Sequence, residues 1–402
     1  MKVTLDDIKL AYSHIRSVVR NTPLEHSAAA SQIIGSDIFF KCENLQHTGS
    51  FKIRGALNKI SGLTNSEKNR GVIASSAGNH AQGVALSSSK LGVKSTVVMP
   101  NNASIVKQTA TKNYGAEIIL HGEVYDDAYQ KAREIEKQSG AVFVHPYEDP
   151  AIIAGQGTIG LEIFEAIKDL DSIVVAIGGG GLISGIATSL KSLNPKIKVY
   201  GAVAENAPGV YELFKKSTNK LTPTYLSIAD GIAVKKPSQV MYESFLSKLV
   251  DDVVVVSEEE ISEAIAFILE RSKLVVEGSG AITLAAAFQK KLKLGAKSAL
   301  VLGGGNIDLN LVGEILNRGL ARKGRIARIE VVVDDRPGSL QKLTKIIAEA
   351  AANILEVEHN RTDPTLHIRE TRILFVLETK DADHILKIRS ALKSAGVRIT
   401  ES

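Results

Sequence analysis

The sequence is poor in cysteine, with a single residue, Cys42, in a chain of 402 residues. One thiol excludes a disulfide within the chain and a zinc site built from several cysteines. No apolar run reaches the roughly 20 residues that a membrane-spanning helix needs. There is no block of Lys and Arg that would favour nucleic acid, and residues 1–7 lack the pattern of a signal peptide. We therefore expect a cytoplasmic protein that binds neither membranes nor nucleic acids.

The sequence contains, instead, an alternation of short apolar segments and helical patterns. The first apolar segment is at 38–40 and the last of the series is at 298–302. This alternation predicts an α/β protein whose parallel sheets carry helices on both faces. Two such sheets with a cleft between them fit the pattern, and ligands then bind at the carboxyl ends of the strands.

A lysine stands at the start of a predicted helix, in the segment Ser-Phe-Lys-Ile-Arg-Gly-Ala at 50–56. Ser50 is expected to cap a helix that begins at Phe51. Lys52 would then lie in the first turn, where an ammonium group opposes the helix dipole. This position suits an amine that need not be charged, such as one that bonds to a carbonyl cofactor. A solvated lysine without a special role is the alternative.

Four consecutive glycines separate another apolar strand from the next predicted helix. They are Gly178, Gly179, Gly180 and Gly181, and Leu182 follows them. Bare N–H groups at a helix start suit a phosphate, and four glycines cost enough chain entropy to imply a function. A dinucleotide site, with Glu205 as its acidic residue, is the alternative. The gapless run and the upstream lysine favour a single phosphate.

A third segment joins a predicted strand to a helix through small and polar residues. Its members are Ser75, Ser76, Ala77, Gly78, Asn79 and His80. Small side chains let backbone N–H groups approach a ligand, and the helix start that follows favours an anion. An ordinary turn between a strand and a helix is the alternative.

In their order along the chain, 50–56, 75–80 and 178–182, the three segments resemble the pyridoxal-phosphate-dependent threonine and serine dehydratases, over residues 5–320. The resemblance implies the second fold type of such enzymes, that of the tryptophan synthase β subunit. The catalytic domain would be 1–320, with a small lobe near 43–146 inserted in a larger one. Lys52, beside Phe51, would hold pyridoxal 5′-phosphate as an imine, and 178–182 would bind its phosphate.

The resemblance assigns roles to other positions as well. The loop at 75–80 would bind the substrate carboxylate, and Asn79 would donate to the phenolic oxygen of the cofactor. Glu277 would lie near the ring. Gly303 stands where the family usually has a serine facing the pyridine nitrogen, so another group must take that role. Glu205 and Gly209 match a loop that binds a monovalent or divalent cation in relatives, although one carboxylate alone is a poor metal site.

The chain after a charged linker at 321–326 has the order β-α-β-β-α-β. Residues 327–402 thus resemble an ACT domain, a small α+β module of the ferredoxin-like kind that binds amino acids at paired interfaces. Its first turn contains Asp335, Pro337 and Gly338, which are candidates to bind an amino-acid effector. Pro337 suits a first helical position, and Gly338 leaves N–H groups open to a carboxylate. A module that only dimerises is the alternative. We expect a homo-oligomer, either a dimer or a tetramer.

The sequence therefore predicts an ammonia-lyase that acts on threonine, with serine as a poorer substrate and Lys52 as the base. Serine racemase, of the same family, is the main alternative. The racemases carry a serine as the second acid/base group where this chain has Ala77, so elimination is favoured. An O-acetylserine or threonine synthase is disfavoured by the ACT-like module. An intact Lys52 argues against a binding protein that has lost catalysis.

Overall fold

The computed structural model describes residues 1–216, 223–224 and 226–400. The chain folds as two units, Met1–Ile307 and Asp308–Ser402. The first unit contains two mostly parallel sheets and the second contains one antiparallel sheet. Within the described part of the chain, no helix is long and apolar enough to cross a bilayer.

The larger sheet of the first unit has six strands. They are β1 Leu24–His26, β2 Asp37–Lys41, β7 Ser172–Ala176, β8 Lys198–Ala204, β9 Asp252–Val256 and β10 Lys297–Val301. Their order across the sheet is β1-β2-β10-β7-β8-β9, and only β1 is antiparallel to its neighbour. Every residue of β7 is buried, as expected for a central strand with helices on both faces.

The smaller sheet of the first unit has four parallel strands. They are β3 Val72–Ser75, β4 Ser95–Met99, β5 Glu117–Leu120 and β6 Val142–Phe143, in the order β5-β4-β3-β6. All of them fall within the predicted small lobe, 43–146, although the domain boundaries themselves remain predictions. The two parallel sheets confirm the predicted α/β class.

Helices fill the connections between these strands. They are α1 Leu5–Ile15, α2 Ala28–Ile34, α3 Lys52–Ser61, α4 Asn65–Arg70, α5 Asn79–Lys90, α6 Ile105–Asn113, α7 Tyr125–Ser139, α8 Pro150–Ala166, α9 Gly181–Leu193, α10 Gly209–Lys215, α11 Gln239–Met241, α12 Ser247–Leu249, α13 Glu258–Phe267 and α14 Gly278–Phe288. Short 3₁₀ segments are at Glu43–Leu45 and Asp230–Ile232, and π-helical ones at Tyr242–Leu246 and Ile268–Ser272. A Thr4–Asp7 capping box opens α1.

The second unit has the predicted order of strands and helices, preceded by the helix α15 Leu309–Arg322. Its further elements are β11 Ile326–Asp334, α16 Ser339–Glu349, β12 Asn353–Asn360, β13 Glu370–Glu378, α17 Ala382–Ser394 and β14 Arg398–Thr400. The antiparallel sheet has the order β12-β13-β11-β14. Apolar side chains that alternate along β11 and β13 are buried together with those of α16 and α17. This is the ferredoxin-like arrangement that the sequence predicts.

The helix that carries Lys52 starts one residue later than expected, and Ser50 does not cap it. Phe51 is the N-cap residue, and no side chain caps the first turn. Ser50 instead pairs with Gly304 in an isolated antiparallel bridge, and the Phe51 N–H donates to the Gly303 carbonyl at 3.1 Å. The predicted cap was wrong because a bond to a distant strand end holds this segment in another conformation.

Candidate active site

A cavity of about 630 Å³ lies between the two sheets of the first unit. Residues at or just beyond the carboxyl ends of β3, β7 and β10 line it, where open parallel sheets bind ligands. Fifteen of the predicted site residues lie on its wall: Phe51, Lys52, Ser75, Ser76, Ala77, Gly78, Asn79, His80, Gly178, Gly179, Gly180, Gly181, Leu182, Glu277 and Gly303. The chain thus brings its three predicted segments together around one cavity, along with Glu277 and Gly303.

The side-chain amine of Lys52 lies in this cavity and has little contact with charge. Its Nζ donates to the Pro146 carbonyl at 3.1 Å and lies 5.2 Å from the centroid of the Phe51 ring. Burial lowers the pKa of Lys52 to about 8, and the opposing effect of the Glu277 carboxylate is smaller. A useful fraction of the amine is therefore neutral near pH 8, and only a neutral amine can attack a carbonyl carbon.

The four glycines form the turn that leads into α9. Gly180 has a φ of +92° and is followed by the first residue of the helix, Gly181. A Cβ at Gly179 would overlap the ring of Tyr147, and one at Gly178 would lie 2.9 Å from the Cα of Ile232. Side chains are therefore excluded at these two positions. The backbone N–H groups at the start of the 13-residue helix α9 remain on the cavity wall. These residues fit a phosphate group.

The ring of His80, the second residue of α5, is tied to the protein backbone. His80 is buried, and its Nε2 pairs with the Val144 carbonyl at 2.8 Å. Burial is the main reason that its pKa falls to about 3, so the ring stays neutral. The next helix, α5, begins at Asn79, and its first N–H groups face the same cavity as Lys52. This position suits a carboxylate of a substrate.

Glu277 is a buried carboxylate on the cavity wall, beside Asn79. Burial raises its pKa, although the bonds that it accepts from Ser279 and Asn79 act in the other direction. The Asn79 Nδ2 donates to Glu277 Oε1 at 2.8 Å, and the Ser279 hydroxyl donates to the same oxygen. Glu277 is therefore held in place by two donors in an environment that disfavours its charge.

Gly303 has space for a side chain. A Cβ at this position would lie 3.5 Å from the nearest atom of the Phe51 ring, which is an ordinary contact distance. Its φ is not in the left-handed region, so the backbone does not require glycine. Packing therefore does not explain why the chain lacks a hydroxyl here.

The predicted cation loop lies away from the cavity wall. Glu205 Oε1 accepts the N–H of Glu258 at 3.0 Å, and Gly209 begins α10. Among the described residues, no group of three or more His, Cys, Asp or Glu side chains could hold a metal ion. A cation bound by Glu205, Gly209 and backbone carbonyls stays a prediction.

The predicted effector residues belong to the second unit, in the turn between β11 and α16. Gly338 is the N-cap of α16 with a φ of +90°, a conformation that favours glycine. The Asp335 N–H donates to the Arg369 carbonyl at 2.7 Å, and the Arg361 side chain pairs with the Asp335 carboxylate at 3.2 Å. Effector binding by Asp335, Pro337 and Gly338 stays a prediction.

Sequence reasoning missed several residues of the cavity wall. Lys107, from the smaller sheet's helix α6, pairs with Asp230 across the cavity at 2.8 Å. Tyr147 and Asn306 also line the wall. Asn306 ends the glycine run that begins at Gly303, so its position was a usable signal. The sequence contains no comparable signal for Lys107 or Tyr147, because neither lies in a recognisable motif.

Comparison with known proteins gives two family matches. Residues 15–304 match the family described as pyridoxal-phosphate dependent enzyme, and residues 327–397 match the ACT domain. Over 397 residues, the chain is 47% identical to the L-threonine ammonia-lyase of Thermotoga maritima, with 99% of both chains covered.

Two solved structures are also similar. Maize serine racemase matches with a TM-score of 0.74 and 34% identity, covering 80% of this chain and 99% of that one. The processed form of threonine deaminase isoform 2 from Solanum lycopersicum matches with a TM-score of 0.70 and 32% identity, covering 78% of this chain and 93% of that one. Both matches fall short of the full length of this chain.

Proposed function

The chain belongs to the pyridoxal-phosphate dependent enzymes, with an ACT domain after the catalytic part, and we propose that it deaminates L-threonine to 2-oxobutanoate and ammonia. L-serine is a poorer substrate that gives pyruvate. The predicted family, fold type and cofactor are confirmed. The main observation in support of this activity is that Lys52, whose pKa is lowered, lines the same cavity as the glycine-rich start of α9. A relative of nearly the same length, at 47% identity, is named L-threonine ammonia-lyase.

Pyridoxal 5′-phosphate, when bound, supplies an electron sink for negative charge at the carbon that carries the substrate's amine. The N–H groups at Gly178–Gly181 would hold its phosphate, and Lys52 would hold its carbonyl carbon. Phe51 lies beside this lysine, with its ring 5.2 Å from Nζ. Because Nζ is held by a single backbone carbonyl, it can move without leaving a buried ion pair behind.

Lys52 is the group best placed to move protons. Its Nζ lies in the cavity and would be the group to take the proton from the substrate Cα, and burial lowers the pKa of this amine to about 8, which favours the neutral form that can accept a proton. The first N–H groups of α5, from Asn79, would bind the substrate carboxylate. The hydroxyl on Cβ leaves as water, and the enamine product hydrolyses to the 2-oxo acid and ammonia, so one water is lost and one is gained.

Serine racemase activity is the second candidate, and the likeness to maize serine racemase favours it. Racemisation needs a group that can deliver a proton to the face of Cα opposite the lysine. Ala77 lines the cavity and carries no proton to give. Elimination is therefore the main reaction and racemisation a minor one.

The ACT domain supports regulation by an amino acid that binds near Asp335, Pro337 and Gly338. Such modules act in pairs, so the proposed assembly is a homo-oligomer of two or four chains. We also propose that a cation binds at Glu205 and Gly209.

The test is a direct one on the purified full-length protein with added pyridoxal 5′-phosphate. We expect a visible absorption band from the bound cofactor and formation of 2-oxobutanoate from L-threonine. A protein that shows the band but yields only D-serine from L-serine would be a racemase. A protein without the band, and without a 2-oxo acid from either substrate, would contradict the proposed function.

A further inference from the structure

The side chains of Asn306 and Asn79 are bonded to each other at the cavity wall. Asn306 Nδ2 donates to Asn79 Oδ1 at 2.7 Å, across 227 residues of sequence. The same nitrogen donates to the Thr48 carbonyl at 2.8 Å. An asparagine amide has two N–H bonds, so both of those on Asn306 are used within the protein.

This arrangement allows only one orientation of the Asn79 amide. The Thr48 carbonyl can only accept, so the nitrogen of Asn306 must face it. The Asn79 oxygen then faces Asn306, and its nitrogen faces the Glu277 carboxylate at 2.8 Å. Turning the Asn79 amide over would place oxygen against oxygen at Glu277 and nitrogen against nitrogen at Asn306. Both contacts are repulsive, so the bonds at its two ends fix this side chain.

Gly49 makes room for Asn306. Its φ is +68°, and a Cβ at this position would overlap the Oδ1 of Asn306. The Gly305 N–H also donates to the Gly49 carbonyl at 2.9 Å, which joins the two segments beside Asn306. The absence of a side chain at position 49 is therefore a condition for the Asn306–Asn79 bond.

We propose that Asn306 is a positioning residue that fixes the Asn79 amide, so that its second N–H is presented to an anionic oxygen of the bound cofactor. This proposal rests on the proposed function, because it needs pyridoxal 5′-phosphate at Lys52. Within the described residues, Nδ2 of Asn79 has Glu277 as its one acceptor, which leaves its other hydrogen for a ligand in the cavity. With the phosphate at Gly178–Gly181, the remaining anionic acceptor that the cofactor offers is its phenolic oxygen, on the ring carbon next to the one that carries the aldehyde. Hydrogen bonds to ionised groups are stronger than neutral ones.

The test compares three changes in the full-length holoenzyme: Asn79→Ala, Asn306→Ala and Asn306→Asp. The readouts are the pH dependence of the cofactor's visible band and the dissociation constant of pyridoxal 5′-phosphate. Asn79→Ala should raise the pH at which the ring oxygen ionises by about one unit and weaken cofactor binding about tenfold, because a donor to an anion is lost. Asn306→Ala should give a smaller shift in the same direction. Asn306→Asp should give a larger shift than Asn306→Ala, because the new carboxylate would accept from the Asn79 nitrogen and so favour the reversed orientation of the Asn79 amide.

Asn44→Ala is the matched control. Asn44 Nδ2 donates to the Val275 carbonyl at 3.0 Å, so its removal also deletes an amide-to-carbonyl bond near this wall, without touching Asn79. The control loses one side-chain bond where Asn306→Ala loses two, so it should lower thermal stability by a smaller amount and leave the visible titration unchanged. Gly49→Ala provides a second route, because the added methyl group displaces Asn306 and should reproduce the shift of Asn306→Ala.

The inference is overturned if the visible band of the variants at 306 and 49 has the same pH dependence as that of Asn44→Ala, while the band of Asn79→Ala is shifted to higher pH. The proposed function would survive that result. If Asn79→Ala also leaves the titration unchanged, the cofactor's ring oxygen does not lie at Asn79, and the placement of the cofactor fails together with this inference.

Discussion

Arg54 and Glu162 are joined by two hydrogen bonds, of 2.7 and 2.9 Å, where neither side chain is exposed to solvent. Arg54 makes two further bonds to Glu43, both of 2.8 Å, and Lys41 bonds to Glu162 at 2.6 Å. Two cations and two carboxylates are thus buried together, and one of them, Arg54, lies two residues after Lys52 on the same helix. Because water does not reach the group, each charged side chain is stabilised by its oppositely charged partners.

Removing one of these carboxylates should strongly destabilise the protein. Glu162→Ala leaves Arg54 and Lys41 buried with too few acceptors, so we expect a loss of about 3–5 kcal/mol in the free energy of unfolding. Denaturant unfolding of the full chain measures this. Glu134→Ala, which removes an exposed partner of Lys131, should change the unfolding midpoint little. Equal effects of the two changes would contradict the importance of the buried group.

Lys52→Ala should abolish deamination while the fold survives. The change removes the amine that holds the cofactor, so the visible band and 2-oxobutanoate formation should fall to trace levels. Lys59→Ala is the control, because Lys59 lies on the same helix and pairs with Asp149 at 2.8 Å outside the cavity. Near-normal product formation by the Lys52 variant would refute the lysine's role.

The lowered pKa of Lys52 also predicts a pH-dependent stability of the cofactor-free chain. The folded protein disfavours the ammonium form, whose pKa falls from 10.5 to about 8. The penalty is complete below pH 8, shrinks as the pH rises and is absent above 10.5, because the unfolded chain then also carries a neutral amine. Lys52→Met should therefore raise stability at pH 7 by roughly 1–3 kcal/mol, with no gain above pH 10.5. Unfolding curves at a series of pH values test this, and a gain independent of pH would exclude titration as the cause.

Ala77→Ser should increase racemisation relative to elimination. The new hydroxyl would lie on the cavity wall, where it could deliver a proton to a substrate carbon. Chiral analysis of remaining serine, together with a pyruvate assay on the same samples, gives the ratio of the two reactions. Ala77→Gly, which changes size without adding a proton donor, should leave the ratio unchanged. If the serine variant gives the same ratio of racemisation to elimination as the glycine variant, the hypothesis that residue 77 decides between the two reactions is wrong.

Isoleucine or valine should change the rate of deamination through the ACT domain. Asp335→Ala removes a carboxylate from the turn between β11 and α16, so the response to either amino acid should weaken while the rate without effector stays the same. Initial rates with threonine at increasing effector concentration measure this. Asp383→Ala, in the first turn of α17, is the control. If the unaltered enzyme does not respond to either amino acid, the effector prediction fails.

Local patterns were enough to predict the elements that form the cavity. The strands that end at Ser75, Ala176 and Val301 were visible as apolar segments, and the motifs after them had residues suited to their ligands. The prediction failed where a distant partner decides the local conformation. Ser50 looks like a helix cap, but its pairing with Gly304 involves a strand end far away in the sequence, which no local pattern reveals. The Lys107–Asp230 pair was missed for the same reason.

The strand order of the larger sheet constrains how a newly made chain can mature. β10 is the last strand of the first unit, yet it lies between β2 and β7. Until residues 297–301 have left the ribosome, β2 and β7 both lack the strand that pairs with them in the finished sheet. The larger sheet, and the cavity at the ends of its strands, can therefore be completed only when synthesis of this unit is almost finished.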